Sequence, residues 1–130
     1  MSTTDIDALK SAFAAADAGD PVPLVSLYAD DMTWAGFTIA GTQTVYTKGE
    51  FLEAFGILAK LDESRNEVVD ASATAEGVVT ATVRAYRRLG EDVFDADLVF
   101  VHRFVDGKVT HGADVVPASV EAFWARTGLA

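Results

Sequence analysis

The apolar residues change their period once, near Arg65, and that change governs what this chain can become. Before it they recur every three or four positions: Ile6, Leu9 and Phe13, then Leu24, Val25, Leu27 and Tyr28, then Phe51, Leu52, Phe55, Leu58 and Leu61. After it they alternate. A period near 3.6 gathers side chains on one helix face, whereas a period of two gathers them on one face of a strand. Helices followed by an antiparallel meander is the α+β pattern, with the helices packed on one face of the sheet.

The punctuation residues set the expected boundaries. A first helix runs from Asp5 through Ala18, with Thr4 or Asp5 as N-cap, and stops at Gly19. A short second helix follows Pro21, carries Tyr28 on its packing face, and ends near Asp30-Asp31. Met32 to Ile39 reads as a strand and Gly41 to Thr47 as a polar, Thr-rich loop. A third helix spans about Glu50 to Leu61 with one face buried. Long strands are expected at about 66–75, 78–89, 93–105 and 108–116, separated by Gly77, Gly90 and Asp106-Gly107. The last pair permits the positive φ values of a tight primed hairpin turn. Pro117 ends the sheet, and Ala118 to Thr127 forms a closing helix or turn. No repeat or linker divides residues 1–130, so a single domain is expected.

Charge and composition remove whole classes of function. The net charge is −10 and only ten Lys and Arg are scattered along the chain, which opposes binding to nucleic acid or to an anionic membrane. The absence of cysteine excludes disulfides, thiolate metal sites and cysteine nucleophiles. The polar, acidic stretch Met1 to Asp7 is no signal peptide, and no run of about 18 apolar residues exists, so a soluble cytoplasmic protein is expected. No Gly-rich phosphate loop or nucleophile elbow is present, which leaves chemistry without a cofactor. Alternation sends His102 and His111 to opposite faces, so no metal site is expected.

Three phrases are spread along the chain: "AAADAGDPVPLVSLYADDMTWAG" at Ala14 to Gly36, "TKGEFLEAFGILAKL" at Thr47 to Leu61, and "VHRFVDGKVTHGADVV" at Val101 to Val116. With the closing "VEAFWART" and the order of elements, the chain resembles the nuclear transport factor 2-like superfamily, in its SnoaL-like branch. The resemblance implies a curved antiparallel sheet wrapped on three N-terminal helices, forming a cone with an apolar pocket. The superfamily includes ketosteroid isomerases, polyketide cyclases, limonene-type epoxide hydrolases, scytalone-type dehydratases and binding proteins, so the scaffold alone does not fix a reaction. Matched on "YADDMTW", the isomerase's base falls at Gly36; matched on "HRFVDGKV", the strand acid of isomerases and cyclases falls at Phe100; the first-helix Tyr falls at Ala12 or Phe13. An isomerase needs one carboxylate to move the proton and a second donor to hold the enolate, and neither stands at those positions. Asp114, however, falls where many SnoaL-like sequences read "HWD" and where epoxide hydrolases of this fold carry a catalytic carboxylate. Their Arg-x-Asp partner is replaced by Arg84-Ala85-Tyr86.

Alternation then selects the candidates. Phe94, Ala96, Leu98, Phe100, His102 and Phe104 share the concave face of their strand, which sets His102 among apolar neighbours either as a bonded core histidine or as a pocket acid or base. The family comparison turns Asp114 inward, and a buried carboxylate requires a partner. The candidates are His102 and Arg87, the latter sharing a face with Val79, Ala81, Val83 and Ala85; a structural Arg–Asp bridge is equally consistent with the sequence. Asp114, His102 and Arg87 are therefore the expected catalytic set. Trp34, Phe100, Tyr28, Tyr46 and Phe13 are the expected substrate-binding residues. His111 is expected outside the pocket, beside Val109 and Val115; with Val99 and Val101 they make the convex face apolar enough for a homodimer through the sheets. The function expected is acid–base chemistry (cyclisation, isomerisation, dehydration or epoxide opening) on an apolar polyketide-, terpenoid- or steroid-like molecule. The alternative is a non-catalytic module of the same fold, binding a hydrophobic ligand or serving a structural role.

Overall fold

The computed structural model describes residues 2–37 and 43–128. Helix α1 (Ser2–Asp17) and the short α2 (Val22–Leu27) lead into strand β1 (Tyr28–Phe37) and strand β2 (Gln43–Thr47). Helix α3 (Lys48–Phe55) continues as a 3-10 turn over Gly56–Lys60. Strands β3 (Glu63–Ala73), β4 (Val78–Leu89), β5 (Asp92–Val105) and β6 (Lys108–Val115) follow, and α4 (Ala118–Thr127) closes the chain. Among the described residues no helix is long and apolar enough to cross a membrane.

The strands form one curved sheet in the order β2-β1-β6-β5-β4-β3. The meander β3 to β6 is antiparallel, as is the pair β1–β2, but β1 lies parallel to β6. A wholly antiparallel sheet is thus corrected to a mixed one. The first strand enters beside the last, and a non-local pairing of this kind leaves no local pattern in the sequence. The Asp106-Gly107 turn has positive φ at both residues (50° and 79°), as a primed hairpin requires.

The helices cover one face. On β4 the alternate residues Val79, Ala81, Val83 and Ala85 are fully buried, and Leu9 and Phe13 of α1 share a core with the first three. Phe123 of α4 packs against Phe94 and Leu98 of β5 in a second cluster. The carboxylate of Asp17 accepts the Asn66 backbone N–H (2.8 Å and 3.1 Å), tying the end of α1 to the edge strand β3.

Four local expectations are corrected. Asp30-Asp31 and Tyr28 belong to β1 rather than to a helix end, because the chain turns extended straight after Leu27. Gln43–Thr47 is a strand, not a loop: its Thr and Val residues are β-branched and it pairs with β1 in register from Thr33↔Thr47 to Phe37↔Gln43. The remainder of that expected loop, Gly41 and Thr42, and the expected strand end at Thr38 and Ile39 lie outside the described residues. The third helix begins earlier, where Thr47 and Glu50 form a reciprocal capping box, and none of its residues is fully buried. Val109 is completely buried rather than convex, because a bulge at Thr110 reverses the alternation of β6 between Val109 and His111.

Candidate functional site

Between α3, α4 and the covered face of the sheet lies a cavity of about 380 Å³. Its walls explain the incomplete burial of α3 and the turn after it: Phe51, Ala54, Phe55 and Leu58 line the open space, with Phe51 and Phe55 also packed against the core. All five expected substrate-binding residues, Trp34, Phe100, Tyr28, Tyr46 and Phe13, stand on its lining, as do Asp114 and Arg87. Phe13 stacks on Phe100 with ring centroids 6.1 Å apart. Trp34 is enclosed by Phe51 at 4.6 Å, Phe100 at 5.7 Å and Tyr28 at 6.2 Å.

Asp114 is half-buried on β6, and its Oδ2 accepts a hydrogen bond of 2.8 Å from the indole Nε1 of Trp34. Burial pushes its carboxyl above the usual carboxylate range, and the indole bond offsets part of that rise. Tyr46 stands opposite Trp34 in the β1–β2 ladder. Its phenol is pushed up first by burial, then by the charge of Asp114 and that of Glu50. Asp114, Trp34 and Tyr46 therefore form one polar corner in an apolar cavity.

Two glycines make room for that corner. Gly112 pairs with Trp34 across β1 and β6, and a Cβ there would collide with indole atoms Cε3 and Cζ3. At Gly36 a Cβ would lie 2.7 Å from Asp114 Oδ2. The position the family comparison gave to a base is thus the space into which the carboxylate of a neighbouring strand extends. Gly36 shares a strand face with Trp34, which is visible in the sequence; the pairing of Gly112 with Trp34 depends on the β1–β6 contact and has no sequence signal.

Neither expected pairing of Asp114 forms. Its hydrogen bond goes to Trp34, and His102 does not line the cavity. His102 is fully buried, with its ring 5.3 Å from Trp34 and near Phe100 and Phe104. Both ring nitrogens lack a hydrogen-bond partner among the described residues. Burial holds its pKa down at about 4 against a smaller opposing effect of the Val79 backbone, so the ring is neutral at physiological pH.

This histidine carries a pH prediction. Between its unfolded value near 6.5 and its folded value near 4 the unfolded chain binds the extra proton, so its contribution to stability is present at neutral pH and is lost as pH falls through that window. The loss amounts to roughly 3 kcal/mol. His102→Leu is expected to match the parent protein in urea unfolding at pH 7 and to exceed it near pH 4.5. Parallel pH profiles for the two proteins would contradict the burial of an unpartnered ring.

Arg87 sits elsewhere on the lining and is only 8% exposed. Its Nη2 donates to Asn66 Oδ1 at 3.1 Å, its guanidinium lies 5.8 Å from the Phe94 ring centroid, and its buried Nε has no partner. Burial lowers its pKa to about 10 against the opposing charge of Asp17, so it remains a cation at neutral pH. The structure thus joins Asp114 with Trp34 and Tyr46, sets His102 against Trp34 but off the cavity lining, and leaves Arg87 apart from them.

By sequence, no family model matches the chain and no curated protein matches it. Solved structures do match in shape. IdmH of Streptomyces antibioticus, a candidate polyketide cyclase, superposes with a TM-score of 0.77 at 17% identity, covering 95% of this chain and 98% of its own. AclR of Streptomyces galilaeus, a candidate hydroxylase, gives 0.78 at 17% identity, with 98% of each chain covered. An NTF2-like protein of Burkholderia thailandensis gives 0.73 at 18% identity, with 91% and 94% covered.

Proposed function

We propose that this chain, which has the nuclear transport factor 2-like fold, is a small-molecule enzyme that performs acid–base chemistry on an apolar polyketide-, terpenoid- or steroid-like substrate without a cofactor. The observation that carries the reading is the Asp114 carboxyl: half-buried, raised in pKa, and held by a single indole N–H on the wall of an apolar cavity. The sheet and helices act as a cone closed around that cavity. Burial makes the carboxylate a stronger base than one in water, suited to removing a proton from carbon beside a carbonyl. Trp34 fixes the direction of the carboxylate, and the Tyr46 hydroxyl is the nearby donor for the oxygen on which negative charge develops. Cyclisation and isomerisation both begin with such a step. The likeness to IdmH, a candidate polyketide cyclase, supports the substrate class.

The test is deuterium exchange. A panel of aryl ketones, β-diketones and steroid enones is incubated with the protein in heavy water, and exchange at the carbon beside the carbonyl is followed by NMR. Acceleration of at least one member over buffer is expected. No acceleration across the panel, with ligands bound, would favour the non-catalytic binding module, a reading supported by Asp114 pairing with Trp34 and with no second acid among the described residues.

The convex face offers a dimer surface to a second copy. Val115 is 65% exposed and Val45 63%, with half-buried Val99 and Val101 and exposed His111 on the same face. A dimer is expected by light scattering at micromolar concentration, and a Val115→Glu variant is expected to be monomeric. A monomeric parent protein would remove this reading.

A further inference from the structure

The arginines of this protein divide in a way that packing does not explain. Arg65, Arg84, Arg88 and Arg126, all more exposed than Arg87, each meet at least one carboxylate in an ion pair, and Arg103, which meets none among the described residues, is exposed to solvent. Arg87, the buried one, meets none among the described residues. Among the described residues its sole hydrogen bond uses one of five N–H donors and goes to a neutral amide oxygen. The acid whose charge acts on it, Asp17, forms no ion pair with it, and both its carboxylate oxygens accept the Asn66 backbone N–H. A buried cation with no carboxylate in contact costs several kcal/mol; the charge of Asp17, which forms no ion pair with it, and the Phe94 ring offset only part of that.

The position of this cation matters as much as its isolation. Arg87 lines the cavity, and its strand partner on β5 is Phe94, whereas the β5 partner of Asp114 is Phe100. Six residues of strand separate the two levels, about 20 Å of backbone. The cavity therefore has two poles, an acid at one and a cation at the other, with aromatic and aliphatic walls between them.

We infer that the Arg87 end of the cavity is a binding subsite for an anionic oxygen, and that the molecule the protein takes is an elongated apolar body carrying a carboxylate, enolate or phenolate at the end remote from Asp114. The inference rests on the reading of this cavity as the substrate site. The unpartnered donors of a guanidinium match a planar oxyanion, and binding would put a counter-charge in contact with it. With the anionic end anchored, the reacting carbon is presented to the Asp114 pole.

The test compares sodium 2-naphthoate with its neutral methyl ester by calorimetry at neutral pH. These probes report on the Arg87 pole alone and need no turnover. The parent protein is expected to bind the acid at least about tenfold more tightly than the ester, the effect of a charge-assisted hydrogen bond in place of a neutral contact. Arg87→Gln is expected to bring the ratio to about one, and Arg87→Lys to keep part of it. Asp114→Asn is expected to keep it entirely, so a failure of the exchange chemistry and a failure of this subsite give different results. Equal binding of acid and ester by the parent protein, tighter binding of the ester, or no binding of either overturns the inference, even where Arg87→Gln does not fold. A preference that survives in folded Arg87→Gln does the same.

Discussion

Gly112→Ala is expected to destabilise the protein by about 3 kcal/mol, on the order of 10 °C in thermal midpoint, although it adds one methyl group. Alanine is otherwise a good replacement for glycine in a strand, so the sign depends wholly on what lies over the position. Here it is the six-membered ring of Trp34, close enough that the new Cβ would collide with two of its carbons. The indole can retreat only on its cavity side: Phe51 lies 4.6 Å from it, with Phe100, His102 and Tyr28 around its other edges. Any displacement also breaks the Nε1 bond to Asp114. Gly36→Ala provides the contrast. Its Cβ would meet a carboxylate oxygen at 2.7 Å, and a carboxylate can rotate, so a smaller loss of stability is expected together with a displaced Asp114. Denaturant unfolding of the two variants separates the cases, and a parent-like midpoint for Gly112→Ala would mean that the indole does not lie across β6.

Those two glycines also mark the limit of what the sequence makes legible. The period change at Arg65 leads to helices before a meander, and strict alternation places Arg87 inward on β4 and Phe100 and His102 inward on β5, all as observed. These inferences need only one strand at a time. The parallel neighbour of β1, the partner of Asp114 and the cavity all depend on which distant strands meet, and the alternation pattern is silent on that. Val109 fails for a related reason: a single-residue bulge at Thr110 reverses parity, and no glycine or proline marks it. The apolar stripe of α3 was readable as a stripe, but a residue facing packed side chains and one facing an empty cavity have the same sequence signature. His102 and Arg87 illustrate the same limit among polar groups. Parity turns both inward, but only the structure shows that one lies behind Trp34 and the other far along the cavity from Asp114.

Asp114→Asn is the decisive change for the proposed chemistry, with a loss of exchange activity of about a thousandfold expected on any substrate the parent protein turns over, within the range for removal of a general base. Asparagine is nearly isosteric and its Oδ1 can still accept the indole N–H, so cavity shape and the Trp34 contact are preserved while basicity is removed. Stability should move in the opposite direction. Because burial raises the folded-state pKa of Asp114, the folded protein holds the proton more tightly than the unfolded chain between the unfolded value near 3.8 and the raised folded value. The contribution of this group to stability therefore falls as pH rises through that window, and at neutral pH the ionised carboxylate is a net cost of the fold. Asparagine removes that cost, so the variant is expected to melt at or above the parent at pH 7, and the difference to close below about pH 3.8, where both side chains are neutral. An inactive variant that is also more stable is what a strained functional group predicts. A variant as active as the parent would end Asp114's candidacy as the base, and one that is inactive but less stable at pH 7 would assign the carboxylate to holding Trp34 in place.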